Sequence, residues 1–302
     1  MERAHPETMK ARLPQQVKIV EVGVRDGLQQ ETWQADVQTK MALIDRLVGA
    51  GARSIEIGAL LPSSPAPRMA HTARHVAYSV LVHDLQGFEQ ALALGCTEVA
   101  VDAAASEAFS QREHHCSIME SLDRYFVLVE AAKENGVRVR AHVACAISCP
   151  YSGGVRSRTV ANVAAALYEM GCYEISLGDT TGMGTPTLTK HLIEDCREKI
   201  PVHSLAGHFY DTHGMAASNI YAALESGVAV FDSAVAGLGD SPYSSDVVGN
   251  VATEDVVFLM QGLGIDTGID VELMLQAGEY ICDKLSRTTA SRVAQALDCL
   301  PA

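Results

Sequence analysis

The chain reads as an α/β protein closed into a barrel of eight parallel strands, with extra helices at its C-terminal end. Strand-like runs, rich in β-branched residues or alanine, recur between helical stretches of about 10–15 residues, the signature of parallel strands joined by crossover helices. Eight such units occupy about 220 residues, which suits a closed barrel better than an open doubly wound sheet. No change of composition marks a second domain. The 302 residues are therefore read as one domain, with residues 1–15 as an N-terminal extension and 265–302 as a C-terminal helical cap.

The first strand is the apolar run Val17 to Val24, which stops at Arg25-Asp26-Gly27. A buried strand ending this way presents a cation and a carboxylate at its C-terminal mouth, where they can hold a metal ion and a substrate oxyanion. A solvated ion pair in a turn is the plainer alternative. Asp36 to Ala50 has helical spacing and a glycine stop at Gly51. Ser54 to Leu61 forms the second strand, carrying Glu56, and a loop with Pro62, Pro65 and Pro67 follows. Tyr78 to Val82, ending at His83-Asp84, is the third strand, and a helix runs on to Leu94. Glu98 to Val101 is the fourth, ending at Asp102. Ser117 to Asn135 is a helix, Val137 to Ala146 the fifth strand, Arg158 to Met170 a helix and Tyr173 to Leu177 the sixth strand, reaching Asp179. Thr187 to Lys199, Val202 to Phe209, Ala216 to Ser226 and Val230 to Val235 complete the alternation. Helices over Thr253 to Gly262 and Val271 to Ser286 close the ring.

A net charge of −14 excludes a nucleic-acid face, since phosphate binding needs clustered Lys and Arg and none cluster here. No run approaches the roughly 18 apolar residues of a membrane span. Eight scattered cysteines without a C-x-x-C pair, and no apolar leader, are read as reduced thiols in a cytoplasmic protein.

In such a barrel, chemistry collects where the strands end. The candidates are Arg25, Asp26, Glu56, Asp84, Asp102, Asp179, His208 and Tyr210. Converging carboxylates need a positive partner, and a divalent cation with Arg25 supplies it. The two-residue period of a strand puts His208 and Tyr210 on one face and Phe209 on the other. Asp and His donors without a cysteine suit Mg2+ or Mn2+ better than structural zinc. The loop Gly237 to Asn250 is long and glycine-bearing, as an active-site loop would be.

These residues resemble the hydroxymethylglutaryl-CoA lyases. The likeness runs from about Val17 to Gln295 and rests on Glu21 to Gln29, Ala104 to Ser110, Met170 to Thr180 and Gly249 to Asp255. It implies a (β/α)8 TIM barrel and a divalent-metal-dependent C–C bond lyase. Such an enzyme would act on a 3-hydroxy-acyl-CoA related to hydroxymethylglutaryl-CoA, giving acetyl-CoA and a keto acid. The resemblance assigns Asp26, His208 and Asn250 to the metal and sets Arg25 against the developing enolate oxygen. It makes Glu56 the signature glutamate, and places Gln29, Ser176 and Asp179 on the substrate side. A homodimer or higher homo-oligomer is the default expectation.

Departures from the family pattern shape the rest. The second strand-seven histidine is Tyr210, a phenol with a reference pKa of about 10 and a poorer ligand than imidazole. The loop's proton-transfer cysteine is Ser241, beside Asp240. Ser241 can relay a proton but is a weak base, so Asp240 is the candidate for that role. Three readings follow: a lyase with an altered substrate, the ordinary lyase slowed by Ser241, or a catalytically impaired barrel kept as a binding or assembly subunit.

Overall fold

The structure is a computed structural model that describes residues 13–29, 35–60, 75–241, 243 and 248–298. The prolines at 62, 65, 67 and 242, residues 244–247 and Cys299 lie outside them, as does most of the N-terminal extension.

Eight strands close the barrel: β1 Lys18–Glu21, β2 Ser54–Leu60, β3 Ala77–Val82, β4 Glu98–Ala104, β5 Arg138–Ala144, β6 Glu174–Asp179, β7 Leu205–Phe209 and β8 Val230–Ser233. Each pairs in parallel with its sequence neighbours, and β1 pairs with β8 to shut the ring. Around it lie α1 Val37–Gly49, α2 Leu85–Ala93, α3 Ile118–Glu134, α4 Ser157–Met170, α5 Pro186–Arg197, α6 Ala216–Glu225 and α7 Thr253–Leu263. Two further helices follow, α8 Val271–Leu285 and α9 Arg292–Asp298. The (β/α)8 barrel expected from the alternation is the fold observed.

Local chemistry explains most boundaries. Asp36, Asp84, Ser117 and Thr185 each accept a hydrogen bond from a first-turn backbone N–H, and Ser117 with Glu120 forms a full capping box. Asp84 is thereby corrected from a mouth residue to a helix cap. Gly171 ends α4 at φ 115°, a backbone region that costs a side-chain residue free energy. Several strand ends also differ from expectation, three of them at the mouth. The first strand stops at Glu21, and a π-helical turn over Gly23–Gly27 carries Arg25 and Asp26. The fifth stops at Ala144 because Cys145 adopts a left-handed φ of 59°. The fourth runs on to Ala104, which puts Asp102 inside the strand.

Between the barrel and its helices lies one continuous apolar core, with Leu43, Leu47, Phe88, Leu128, Leu167 and Phe231 among its fully buried members. The barrel interior is different, because charge fills much of it. Arg140, 0 % exposed, donates from Nε to Glu174 (2.7 Å) and from Nη2 and Nη1 to Asp232 (2.6 and 3.2 Å). Lys18 donates to the other Glu174 oxygen at 2.5 Å. The β4–β5–β6 register stacks Ala100, Arg140 and Glu174 in one layer and Asp102, His142 and Ser176 in the next, one step nearer the mouth.

Two more buried carboxylates fix the chain after β8. Glu21 accepts from the backbone N–H of Gly23 (2.8 Å) and Val235 (2.9 Å) and from the Thr253 hydroxyl (2.6 Å). Glu254 accepts from the Ala236 N–H at 2.9 Å, holding that residue at φ 58°. Burial outweighs these hydrogen bonds and raises Glu21 to about 7 and Glu254 to about 8. Both folded values exceed the unfolded one, so the fold favours the neutral acids. Their contribution is complete below about pH 4.3, the unfolded carboxyl pKa, and is lost as pH rises through 7 and 8. The melting midpoint should therefore fall between pH 6 and pH 8.5, by ~4 °C for each ~2 kcal/mol lost in a chain of this size. Glu254→Gln should reduce that fall, and an unchanged pH slope in the variant would refute the assignment.

Candidate active site

A cavity of about 240 Å³ opens at the C-terminal end of the barrel, lined among others by Arg25, Asp26, Gln29, Ser176, His208 and Tyr210. With Asp102, which also lines it, seven residues expected from the sequence are brought together there. The π-helical turn after β1 supplies Arg25 and Asp26, and alternate positions along and just beyond β7 supply His208 and Tyr210. Phe209 points the other way into the core, as the strand period requires.

Arg25 is held between carboxylates. Its Nε donates to Glu56 and its Nη1 to Asp26 Oδ1 at 2.7 Å. Glu56 is fully buried; burial alone would raise its pKa, but the charges of Arg25 and then His142 bring it down to about 2. It stays ionised throughout the working range and locks the guanidinium plane.

His208 is held on both ring nitrogens: Nδ1 lies 3.1 Å from Asp232 and Nε2 lies 2.8 Å from the side-chain oxygen of Asn250. Asn250 in turn donates to Asp26 Oδ2 at 2.9 Å. Burial works against the imidazolium, yet the hydrogen bond and charge of Asp232, with Asp26, leave the His208 pKa raised. His142 bridges Glu56 (Nε2, 3.0 Å) and Asp232 (Nδ1, 3.6 Å). For Tyr210, burial and then the Asp26 charge push the phenol well above its ordinary value, so it presents a neutral hydroxyl.

Among the described residues, the ligand atoms of His142, His208 and Asp232 lie within 4.8 Å of one another and could hold an ion. Asp232 is nevertheless heavily engaged: one oxygen takes Arg140, and the other takes Arg140, Ser176 (2.7 Å) and His208. A second donor group is formed by Asp26 Oδ2, His208 Nε2 and Asn250 Oδ1, with Nε2 3.8 Å from Oδ2 and 2.8 Å from Oδ1. One imidazole nitrogen and two oxygens at this spacing fit a hard divalent cation. Asp232 would then orient the imidazole from behind, as carboxylates do for metal-bound histidines.

Besides the Asp84 cap, and Glu56 and Asn250, which stand behind Arg25 and Asp26, three expected residues lie off the cavity wall. Asp179 is buried behind it, accepting from the Gly184 N–H at 2.8 Å, with burial raising its pKa to about 6. Asp240 is half exposed and pairs with Arg287 at 3.4 Å. Ser241 is buried, and its hydroxyl has no partner among the described residues. Tyr243, from the same loop, packs against Phe109 and Tyr151 with ring centroids 6.1 and 5.9 Å apart, roofing one side of the cavity.

Sequence reasoning passed over His142, Asp232, Arg140 and His114. The partners of each lie at least 12 positions away in the chain, up to 92 for Arg140 and Asp232. Arg140 and His142 did carry a signal, since the two-residue period sends both to the barrel interior.

Comparison with known proteins agrees with the geometry. The HMGL-like family model matches residues 16–281. A Pseudomonas aeruginosa protein named 3-hydroxy-3-isohexenylglutaryl-CoA/hydroxymethylglutaryl-CoA lyase is 49% identical, the match covering 94% of this chain and 98% of that protein. The mouse cytoplasmic 3-hydroxy-3-methylglutaryl-CoA lyase is 45% identical, over 94% of this chain and 85% of its own. The crystal structure of the P. aeruginosa hydroxymethylglutaryl-CoA lyase superposes with a TM-score of 0.91 at 49% identity, covering 94% of this chain and 98% of that one. The chain belongs to the HMGL-like family and, within it, groups with the hydroxymethylglutaryl-CoA lyases, which are carbon–carbon lyases.

Proposed function

We propose that this site breaks the carbon–carbon bond beside the thioester of a 3-hydroxy-3-substituted glutaryl-CoA, releasing acetyl-CoA and a keto acid. The observation that carries the reading is the Arg25 guanidinium, clamped by Glu56 and Asp26 at the wall of the cavity that also holds His208. Asp26, His208 and Asn250 would hold a divalent cation, Mg2+ or Mn2+, with the Tyr210 hydroxyl beside it. Such an ion, when bound, lowers the pKa of the substrate's tertiary hydroxyl.

The protein's own groups do the rest. Arg25 meets the thioester oxygen as it gains charge; because its position is fixed beforehand, it stabilises the transition state more than the ground state. Glu56 is a positioning residue for Arg25, and Asp232 holds His208 so that Nε2 faces Asn250 and Asp26. Gln29 and Ser176 lie on the wall where polar substrate groups would bind. Asp179 supports the adjoining turn through Gly184, and Asp240 and Ser241 precede Tyr243, which lines the cavity.

No observation favours a barrel kept only for binding. None of the described helices is long and apolar enough to cross a membrane, and the seven described cysteines are free. The test is release of acetyl-CoA from hydroxymethylglutaryl-CoA and from its isohexenyl analogue, with Mg2+ or Mn2+ and after chelation. Turnover of at least one thioester is expected, lost on chelation and restored by Mn2+. Stabilisation against heat by Mn2+ should follow the linkage relation, ~2.7 kcal/mol at one hundred times Kd. Absence of acetyl-CoA from both substrates would overturn the proposal.

A further inference from the structure

Beside the clamped arginine stands a second carboxylate–imidazole pair that the mechanism above does not use. His114 closes the π-helical turn Ser110–His114 after β4, just before His115 at a left-handed φ of 54°. Its side chain is 9% exposed and borders the cavity, as do Asp102 and Arg25. His114 Nε2 lies 3.6 Å from Asp102 Oδ2, and Phe109 meets the ring edge-on at a centroid distance of 5.9 Å. The other nitrogen, Nδ1, is buried without a hydrogen-bond partner among the described residues. A buried ring nitrogen left unpaired is costly, and the ring that carries this one borders the cavity, where a ligand could supply the partner.

We propose that His114, backed by Asp102, is the acid that delivers the proton to the enolate carbon in the lyase reaction; this inference rests on that reading of the site. Cleavage breaks the bond between the carbinol carbon and the CH2 next to the thioester, and the electron pair passes into the enolate. The enolate carbon then takes the proton from His114 Nδ1: a C–H bond forms, an N–H bond breaks, and the imidazole is left neutral with Nε2–H toward Asp102. The proton lost by the substrate hydroxyl as the ketone forms leaves to solvent, and solvent returns one to His114, so no net proton is consumed.

The other groups on the cavity wall are less suited. His208 and His142 have both ring nitrogens occupied. The phenols of Tyr210 and Tyr243 are pushed upward by burial. Arg25 holds its proton permanently. Burial disfavours charge on His83, which has no carboxylate at ion-pair distance among the described residues. At His114 the order reverses: burial lowers its pKa, but Asp102 and then Glu113 outweigh it against Arg124, and the imidazolium is the favoured form.

The test compares His114→Gln and Asp102→Asn with the unaltered protein on hydroxymethylglutaryl-CoA, and separately follows exchange of the C2 protons of added acetyl-CoA in D2O. His114→Gln should lower kcat by ~10²-fold or more, the usual worth of a general acid, with KM little changed, and should abolish the exchange. Asp102→Asn, which keeps shape but removes charge, should move the high-pH limb of kcat to lower pH, because His114 then loses its proton earlier. The charged and titratable groups facing that ring are Asp102, Glu113, Arg124, His83 and Arg25, and only the first is altered. Exchange and kcat within threefold of the unaltered protein in folded His114→Gln, or an unmoved limb in Asp102→Asn, would overturn the inference alone. Failure of the unaltered protein to cleave the thioester would overturn the lyase reading, and this inference with it.

Discussion

Arg25→Gln should reduce kcat by about 10²–10³-fold with little change in KM, the loss seen when one preorganised donor to a developing oxyanion is removed. The reason is geometric. Glu56 and Asp26 take two of the guanidinium's five N–H groups and fix its plane, so its remaining donors meet the cavity in one orientation. Interactions of that kind act on the transition state, and their removal lowers kcat and kcat/KM together. Arg25→Lys keeps the charge but cannot hold both carboxylates with one planar fork, so it should recover only a small part of the rate. Steady-state kinetics on hydroxymethylglutaryl-CoA, with melting curves to show that Glu56 has not been stranded destructively, decide the matter. A lysine variant with full kcat would mean that charge alone suffices and that the clamp has no catalytic role.

Arg140→Met should destabilise the fold by ~3–5 kcal/mol, the range for removing one partner from a buried ionic network. Arg140 is the only cation that touches both Glu174 and Asp232 among the described residues, and Asp232 is held well below the ordinary carboxylate range against its burial, chiefly by that arginine. Without it, two carboxylates would share the barrel interior with only Lys18 against Glu174 and the His208 imidazole against Asp232. Denaturant titration measures the loss. Adding Asp232→Asn should restore part of it, because the stranded charge rather than the lost contact dominates. A double variant less stable than the single one would refute that account. Asp232 also orients His208, so the Asn variant should bind Mn2+ more weakly even where stability is recovered.

The barrel was legible because its signals are local. Helix caps at Asp36 and Ser117, the glycine stop at Gly171 and the short runs between them each depend on neighbours a few positions away. Boundaries failed where a tertiary demand overrode the run. Val22 to Val24 continues the apolar pattern of β1, yet the chain winds into a π-helical turn there, with Gly23 packed against Glu21 and Gly27 against Leu238. A side chain at either glycine would meet those atoms at 2.6 Å. The expectation that a strand end carries Arg25 and Asp26 was therefore right about the mouth and wrong about the element.

By itself the sequence determined the eightfold alternation, the inward face shared by His208 and Tyr210, and the Arg25-Asp26 motif that identifies the chemistry, because periodicity and short motifs are written in consecutive residues. Tertiary structure alone decided which groups answer them. Glu56 meets Arg25 across 31 positions, Arg140 meets Asp232 across 92, and Asn250 meets Asp26 across 224. It also decided that Asp240 faces Arg287 while His114 stands at the cavity wall with an unpaired nitrogen. Barrel closure brings strand ends together whatever their separation in the chain, so the partners of each reactive group follow from strand order and register, which no single stretch of sequence contains.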